Sequence, residues 1–205
     1  MPGYFISFEG TEGCGKSTHI RKLAERLQND GHTVCVVREP GGSESGEQIR
    51  RLLKHGPENL TPEAELLLMN ASRAQLVREI IRPALAAGEV VLCDRFFDST
   101  TIYQGAGRGL DSVHVQAVID FAVGETRPDL TLLLEIPLEI SEKRRAKRSG
   151  SDRFESADRE FFKRIEAGYT ALAEAEPDRI QIIDANRLPE AVQVDILIAV
   201  SAALK

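Results

Sequence analysis

The chain has 205 residues, 42% apolar and 28% charged, a balance that suits one soluble globular domain with a sizeable core. Its formal net charge of −6 argues against a broad nucleic-acid-binding face, and no apolar run reaches membrane-spanning length, so neither nucleic acid nor a membrane is an expected partner. Three scattered cysteines, Cys14, Cys35 and Cys93, offer no disulfide framework and no zinc spacing, a pattern that points to the reducing cytoplasm.

Along the chain, β-prone runs alternate with helical patterns. Strands are predicted over Tyr4–Glu9, Thr33–Arg38, Val90–Asp94, Leu130–Ile136 and Ile180–Asp184, and helices near 16–30, 61–87, 112–123, 156–175 and 188–204. Most of the strands are continuous apolar runs, as expected of parallel strands buried on both faces. The alternation predicts a three-layer α/β fold with a parallel sheet, built as a single domain over 1–205.

The first strand runs into Gly10-Thr11-Glu12-Gly13-Cys14-Gly15-Lys16-Ser17, followed by Thr18, which fits the phosphate-binding pattern G-x-x-x-x-G-K-S/T. Glycines let such a loop turn its N–H groups inward on anionic oxygens, and the next helix adds the positive end of its dipole. Lys16 is placed to meet the β- and γ-phosphates of ATP, and Ser17 to offer a hydroxyl to Mg²⁺. Cys14 reads as a small space-filler, or else as a thiol made reactive by the helix terminus and the lysine.

In the next helical region, Met69, Arg73, Val77 and Ile81 fall on one i, i+4 row, so Arg73 sits on a largely apolar stripe. A buried arginine needs an anionic partner: either a buried carboxylate of the protein or the phosphate of a second substrate held in a bidentate fork. The third strand ends in Asp94, suited to a Mg²⁺-water ligand, and Arg95 follows directly. The guanine-switch strings D-x-x-G and N-K-x-D are absent. Two arginines aimed at a nucleotide, together with the cradle, describe a phosphotransferase whose acceptor is itself anionic and needs no general base. Arg144, Arg145, Lys147, Arg148 and Arg153 then crowd into one basic stretch, expected to form a lid over about 143–155 that supplies transition-state charge and excludes water.

The strings FEGTEGCGKST, REPGG (Arg38–Gly42), DRFFDSTTIYQGAGRG (Asp94–Gly109), PDLTLLLEIP (Pro128–Pro137) and DRFE (Asp152–Glu155) fall in the order and spacing of bacterial thymidylate kinases, which the chain resembles over essentially its whole length. The resemblance implies a homodimer that transfers phosphate from ATP to dTMP with Mg²⁺, on a five-stranded sheet of order 2-3-1-4-5. It implies that Arg73 and Arg95, with Glu39, hold the dTMP phosphate, and that Thr100 and Gln104, next to Ser99 of the same string, meet the thymine edge. Tyr103 would lie beside the sugar, Glu12 near the acceptor phosphates and metal, and Asn186 and Arg187 in the adenine-facing loop. Met69 stands where the family usually stacks a phenylalanine on the base. Of the family's two catalytic layouts the chain is similar to the lid-arginine type, because Gly13 stands where the other type has a basic residue. Arg148, supported by Arg144 and Arg153, is then expected to reach the transferring phosphate. A kinase for another nucleoside monophosphate, or a P-loop switch protein, is the alternative function.

Overall fold

The computed structural model describes residues 3–57, 59–146 and 158–204. In chain order the elements are β1 (Tyr4–Glu9), α1 (Lys16–Asn29), β2 (Val34–Arg38), α2 (Glu44–His55), α3 (Pro62–Leu76), a π-helical turn (Val77–Ile81), α4 (Arg82–Ala86), β3 (Val90–Asp94), α5 (Phe97–Thr100), a second π-helical stretch (Thr101–Gly107), α6 (Ser112–Val123), β4 (Leu130–Glu135), α7 (Leu138–Ala146), α8 (Arg159–Ala175), β5 (Ile180–Asp184) and α9 (Pro189–Ala203). The five strands form one sheet, β2-β3-β1-β4-β5, and every pairing is parallel, as the α/β alternation and the resemblance imply.

The layers follow from the period of two along each strand. Ile6 and Phe8 of β1 and Val90 and Leu92 of β3 point to one face, where Ile20, Leu23 and Leu27 of α1 and Ile196 and Val200 of α9 cover them. Phe5, Val91 and Cys93 point to the other, against Leu66, Leu76 and Ile119. A third cluster joins Leu133 to Phe161, Phe162 and Ile165 of α8. The three central strands are buried almost throughout, whereas β2 and β5, at the sheet edges, alternate with solvent.

Three helical segments lie outside the predicted set: α2, α7, and α5 with its π-helical continuation. α7 buries only Leu138 and Ser141 and shows little apolar periodicity, whereas α2 does carry a short apolar row, Ile49, Leu52 and Leu53 at i, i+3 and i+4, which was the available signal. The long helix predicted over 61–87 is broken into a π-helical turn just before Pro83, whose ring cannot donate to the i−4 carbonyl and crowds it.

Asp98 ties α5 to the sheet. Its carboxylate, 1% exposed, receives a two-pronged bond from Arg179 at 2.7 and 2.8 Å, and the Thr131 hydroxyl also donates to it. Removing one partner of such a pair strands the other charge at a largely dry site. Asp98→Ala is expected to lower unfolding free energy by about 3 kcal/mol, measured by urea denaturation at neutral pH.

Candidate active site

The carboxyl ends of β1, β2 and β3 open onto one cavity, the position at which parallel α/β sheets bind ligands. Gly13, Gly15, Lys16, Ser17 and Thr18 form one wall. The first turn of α1 has no side-chain cap, and the Thr18 and His19 N–H groups return to the Gly15 carbonyl, whereas α2, α3, α6 and α8 are closed by Ser43, Thr61, Asp111 and Asp158. Gly10 must be glycine: its φ is 128°, and a Cβ would lie 2.3 Å from the Leu134 carbonyl. Lys16 curls over the loop and donates to the carbonyls of Gly10 at 2.8 Å and Thr11 at 3.1 Å. It also lies 3.4 Å from the Sγ of Cys14, which is buried, in keeping with a space-filling thiol.

Ser17 donates its hydroxyl to Asp94 Oδ2 at 2.7 Å. These are hard oxygen donors, which suit Mg²⁺, and two protein ligands are enough for an ion that is otherwise held by phosphates and water. No cluster of three or more acidic, histidine or cysteine side chains that could hold a metal exists among the described residues, which accords with that division. The Glu12 carboxylate accepts from Arg95 at 2.8 Å and from the Tyr103 hydroxyl at 2.9 and 3.0 Å.

Arg95 has a φ of 70°, the one positive value at a non-glycine position among the described residues. The turn is held by the buried carboxylate of Glu9, which accepts from the Phe96 N–H at 2.8 Å, the Ser99 hydroxyl at 2.6 Å and the Tyr169 hydroxyl at 2.8 Å. Burial, and then the nearby charge of Asp98, push the Glu9 carboxyl above its ordinary pKa, and Arg95, with the bonds from Ser99 and Phe96, opposes the shift.

Arg73 is 2% exposed, and most of its donors are engaged within the protein. Nε donates to Glu39 at 2.7 Å, Nη1 to Asn70 at 2.8 Å and Thr100 at 2.9 Å, and Nη2 to the Phe96 carbonyl at 3.1 Å. Of the two partners its apolar setting left open, the buried carboxylate is present, joined through Nε alone, and Arg73 itself also lines the cavity. Glu39 keeps one oxygen, Oε1, buried with no hydrogen bond from a described residue. Burial raises its pKa to about 7, against the pull of Arg73.

Met69, Ser99, Thr100, Tyr103 and Gln104 also line the cavity, the last four at i, i+1, i+4 and i+5 along one helical face. Three further cations lie there that sequence reasoning missed: Arg38, Arg50 and Lys54. Arg38 pairs with Glu47, and Arg50 donates to the Pro40 carbonyl at 2.7 Å. The i, i+4 spacing of Arg50 and Lys54 just after REPGG was the available signal. Asn186 and Arg187 do not line this cavity; Arg187 pairs with Asp184 and Asp195 instead. Arg148 and Arg153, like most of the expected lid, lie outside the described residues.

Arg144 is described, and it reaches the phosphate loop, where Nη1 donates to the Gly13 carbonyl at 2.8 Å. A Cβ at Gly13, whose φ is 82°, would meet Arg144 Cβ at 3.0 Å. Gly13 and the α7 arginine are therefore one packing arrangement: the loop gives up a side chain where Arg144 lies against it.

A phosphate loop, a hydroxyl–carboxylate pair suited to Mg²⁺ and a second basic compartment define a P-loop phosphotransferase with two substrate subsites. The family model described as thymidylate kinase matches residues 8–196. A thymidylate kinase from Alcanivorax borkumensis is 50% identical, with 94% of this chain and 93% of that protein covered, and one from Caulobacter vibrioides is 49% identical over 95% and 94%. The crystal structure of thymidylate kinase from Ehrlichia chaffeensis superposes with a TM-score of 0.80 at 30% identity, covering 98% of this chain and 99% of that one. The chain belongs to the thymidylate kinase family.

Glu39 supplies a pH test of the site. Its pKa in the folded protein, about 7, lies above its ordinary value of 4.5, so its contribution to stability is fully present below pH 4.5 and is lost as pH rises through 7. Glu39→Gln should lack that part of the decline, read as the difference between wild-type and variant urea midpoints from pH 4 to pH 8.

Proposed function

We propose that this cavity holds both substrates of a dTMP kinase: the chain transfers the γ-phosphate of ATP to dTMP, giving ADP and dTDP, a step toward dTTP. ATP lies with its phosphates on Gly10–Thr18, the bare N-terminus of α1 and Lys16. Mg²⁺ is held by Ser17 and Asp94 and, when bound, neutralises charge on the phosphates. Arg95, assisted by Arg38, Arg50 and Lys54, attracts the acceptor phosphate. Glu12 and Tyr103 fix the Arg95 guanidinium, and Glu39 stands near the acceptor sugar and phosphate with Arg73 at its side. Met69, Thr100 and Gln104 meet the base. The acceptor oxygen is already anionic, so positioning and charge carry the catalysis. The observation that carries this reading is the far wall of the same cavity: Arg38, Arg50, Lys54 and Arg95 beside Met69, Thr100 and Gln104, a second recognition surface for which a hydrolase or switch would have no use. A cytosine or purine monophosphate would need a different pattern of polar atoms around Gln104.

Arg144 supplies positive charge at the loop and buttresses Gly13; Arg148 and Arg153 are expected to add to it from beyond the described residues. A homodimer is supported by exposed apolar side chains on two packed helices, Leu67 of α3 and Val113 and Phe121 of α6, the last 85% exposed. No helix among the described residues is long and apolar enough to cross a membrane, and we place the activity in the cytoplasm.

ADP release should be measured with Mg-ATP and dTMP, dUMP, UMP, CMP, AMP or GMP. A rate that appears strongly with dTMP is expected; slow ATP loss that is the same with every monophosphate overturns the acceptor assignment. For Arg144→Ala, kcat should fall about 100-fold while the KM for dTMP stays within about threefold, the pattern of charge used mainly in the transition state.

A further inference from the structure

Gln104 and Glu65 are both 1% exposed, on the second π-helical stretch and on α3. Gln104 Nε2 donates to Glu65 Oε1 at 2.7 Å. An amide can be reversed in principle, but a carboxylate only accepts, so an amide oxygen turned onto it would set two acceptors in contact. Arg108 pairs with the same carboxylate, with Nη2 3.3 Å from Oε2 and Nε 3.4 Å from Oε1, and it is braced on the Phe161 ring at 4.9 Å. One of the two amide N–H groups is therefore committed to Glu65, and that bond fixes which way the amide faces. Gln104 lines the cavity, and no described residue donates to its Oε1.

We propose that Glu65 is a specificity-determining positioning residue: it fixes the Gln104 amide so that Oε1 faces the cavity as an acceptor, selecting a base with an N–H at ring position 3. This rests on the reading that the acceptor base lies against Gln104. Thymine and uracil carry that N–H. Cytosine presents a lone pair there, which faces the Gln104 oxygen and leaves it unpaired, so a nucleotide with a cytosine base is rejected by the amide's direction rather than by its size. The ring methyl that separates thymine from uracil plays no part in this device.

Glu65→Gln is the direct test, because a glutamine at 65 both donates and accepts and so tolerates either orientation of Gln104. The ratio of kcat/KM for dTMP to that for dCMP should fall about 10- to 100-fold. The ratio of dTMP to dUMP, which share the N–H, should stay within about twofold, and Glu65→Asp, still an acceptor, should keep the preference against dCMP. A drop in all rates with the dTMP-to-dCMP ratio intact overturns the inference, as does an equal fall of both ratios, which would mean a loosened site. If the wild type itself does not phosphorylate dTMP, it is the underlying functional reading that fails. Because Glu65 is buried, a second measurement uses the wild type alone: the ¹⁵N-resolved side-chain amide pair of Gln104, assigned by its absence in Gln104→Leu. One proton should be shifted downfield, slow to exchange and unmoved when dTMP is added. A pair that exchanges freely and shifts on adding dTMP overturns the assignment.

Discussion

The carboxylate of Glu9 is the point on which the site's geometry turns. It ends an otherwise apolar central strand and is fully buried, a position that would cost several kcal/mol if left unpaired. Four hydrogen bonds compensate, donated by three residues: the backbone of Phe96, the backbone and hydroxyl of Ser99 and the hydroxyl of Tyr169. Together they hold the chain through a left-handed turn at Arg95 that a side-chain-bearing residue otherwise avoids. Without that turn Arg95 would follow the line of β3 and miss the cavity.

From Arg95 the same network spreads into both substrate compartments. Glu12 belongs to the phosphate loop, yet its carboxylate bonds to Arg95 and Tyr103 on the acceptor side. Tyr169 belongs to α8, which follows the basic stretch in sequence, yet its hydroxyl lies 3.4 Å from Arg95 Nη1 and 2.8 Å from Glu9. The loop, the acceptor arginine and α8 are thus linked through short polar contacts at a largely dry site, where such contacts are strong and costly to break singly. Buried ion pairs of this kind add little net stability, but they set position, which is what phosphoryl transfer draws on.

The same economy explains the glycine at 13. A loop that carried its own cation there would need room that Arg144 already fills, and a backbone angle that side chains resist. The charge comes instead from α7, whose arginine lies on the loop from outside the fold's core.

Much was legible in the sequence. The cradle was readable because its chemistry is written in consecutive residues, and the central strands because buried parallel strands are uninterrupted apolar runs. Helices with a long apolar stripe were readable for the same reason; α7, with two buried residues, was not, and the short row of Ile49, Leu52 and Leu53 on α2 was legible but brief. The apolar stripe around Arg73 announced a buried cation but left its partner open. Glu39 is 34 positions away, Glu9 is 87 positions from Phe96, and Glu65 is 39 positions from Gln104. By itself the sequence determined the parallel α/β alternation, the phosphate loop and the presence of an arginine on an apolar helical stripe, because those follow from local spacing and periodicity. Only the tertiary structure decided which carboxylate each arginine meets, where Glu12 points and which way the Gln104 amide faces, because those depend on side chains brought together by strand order and helix packing.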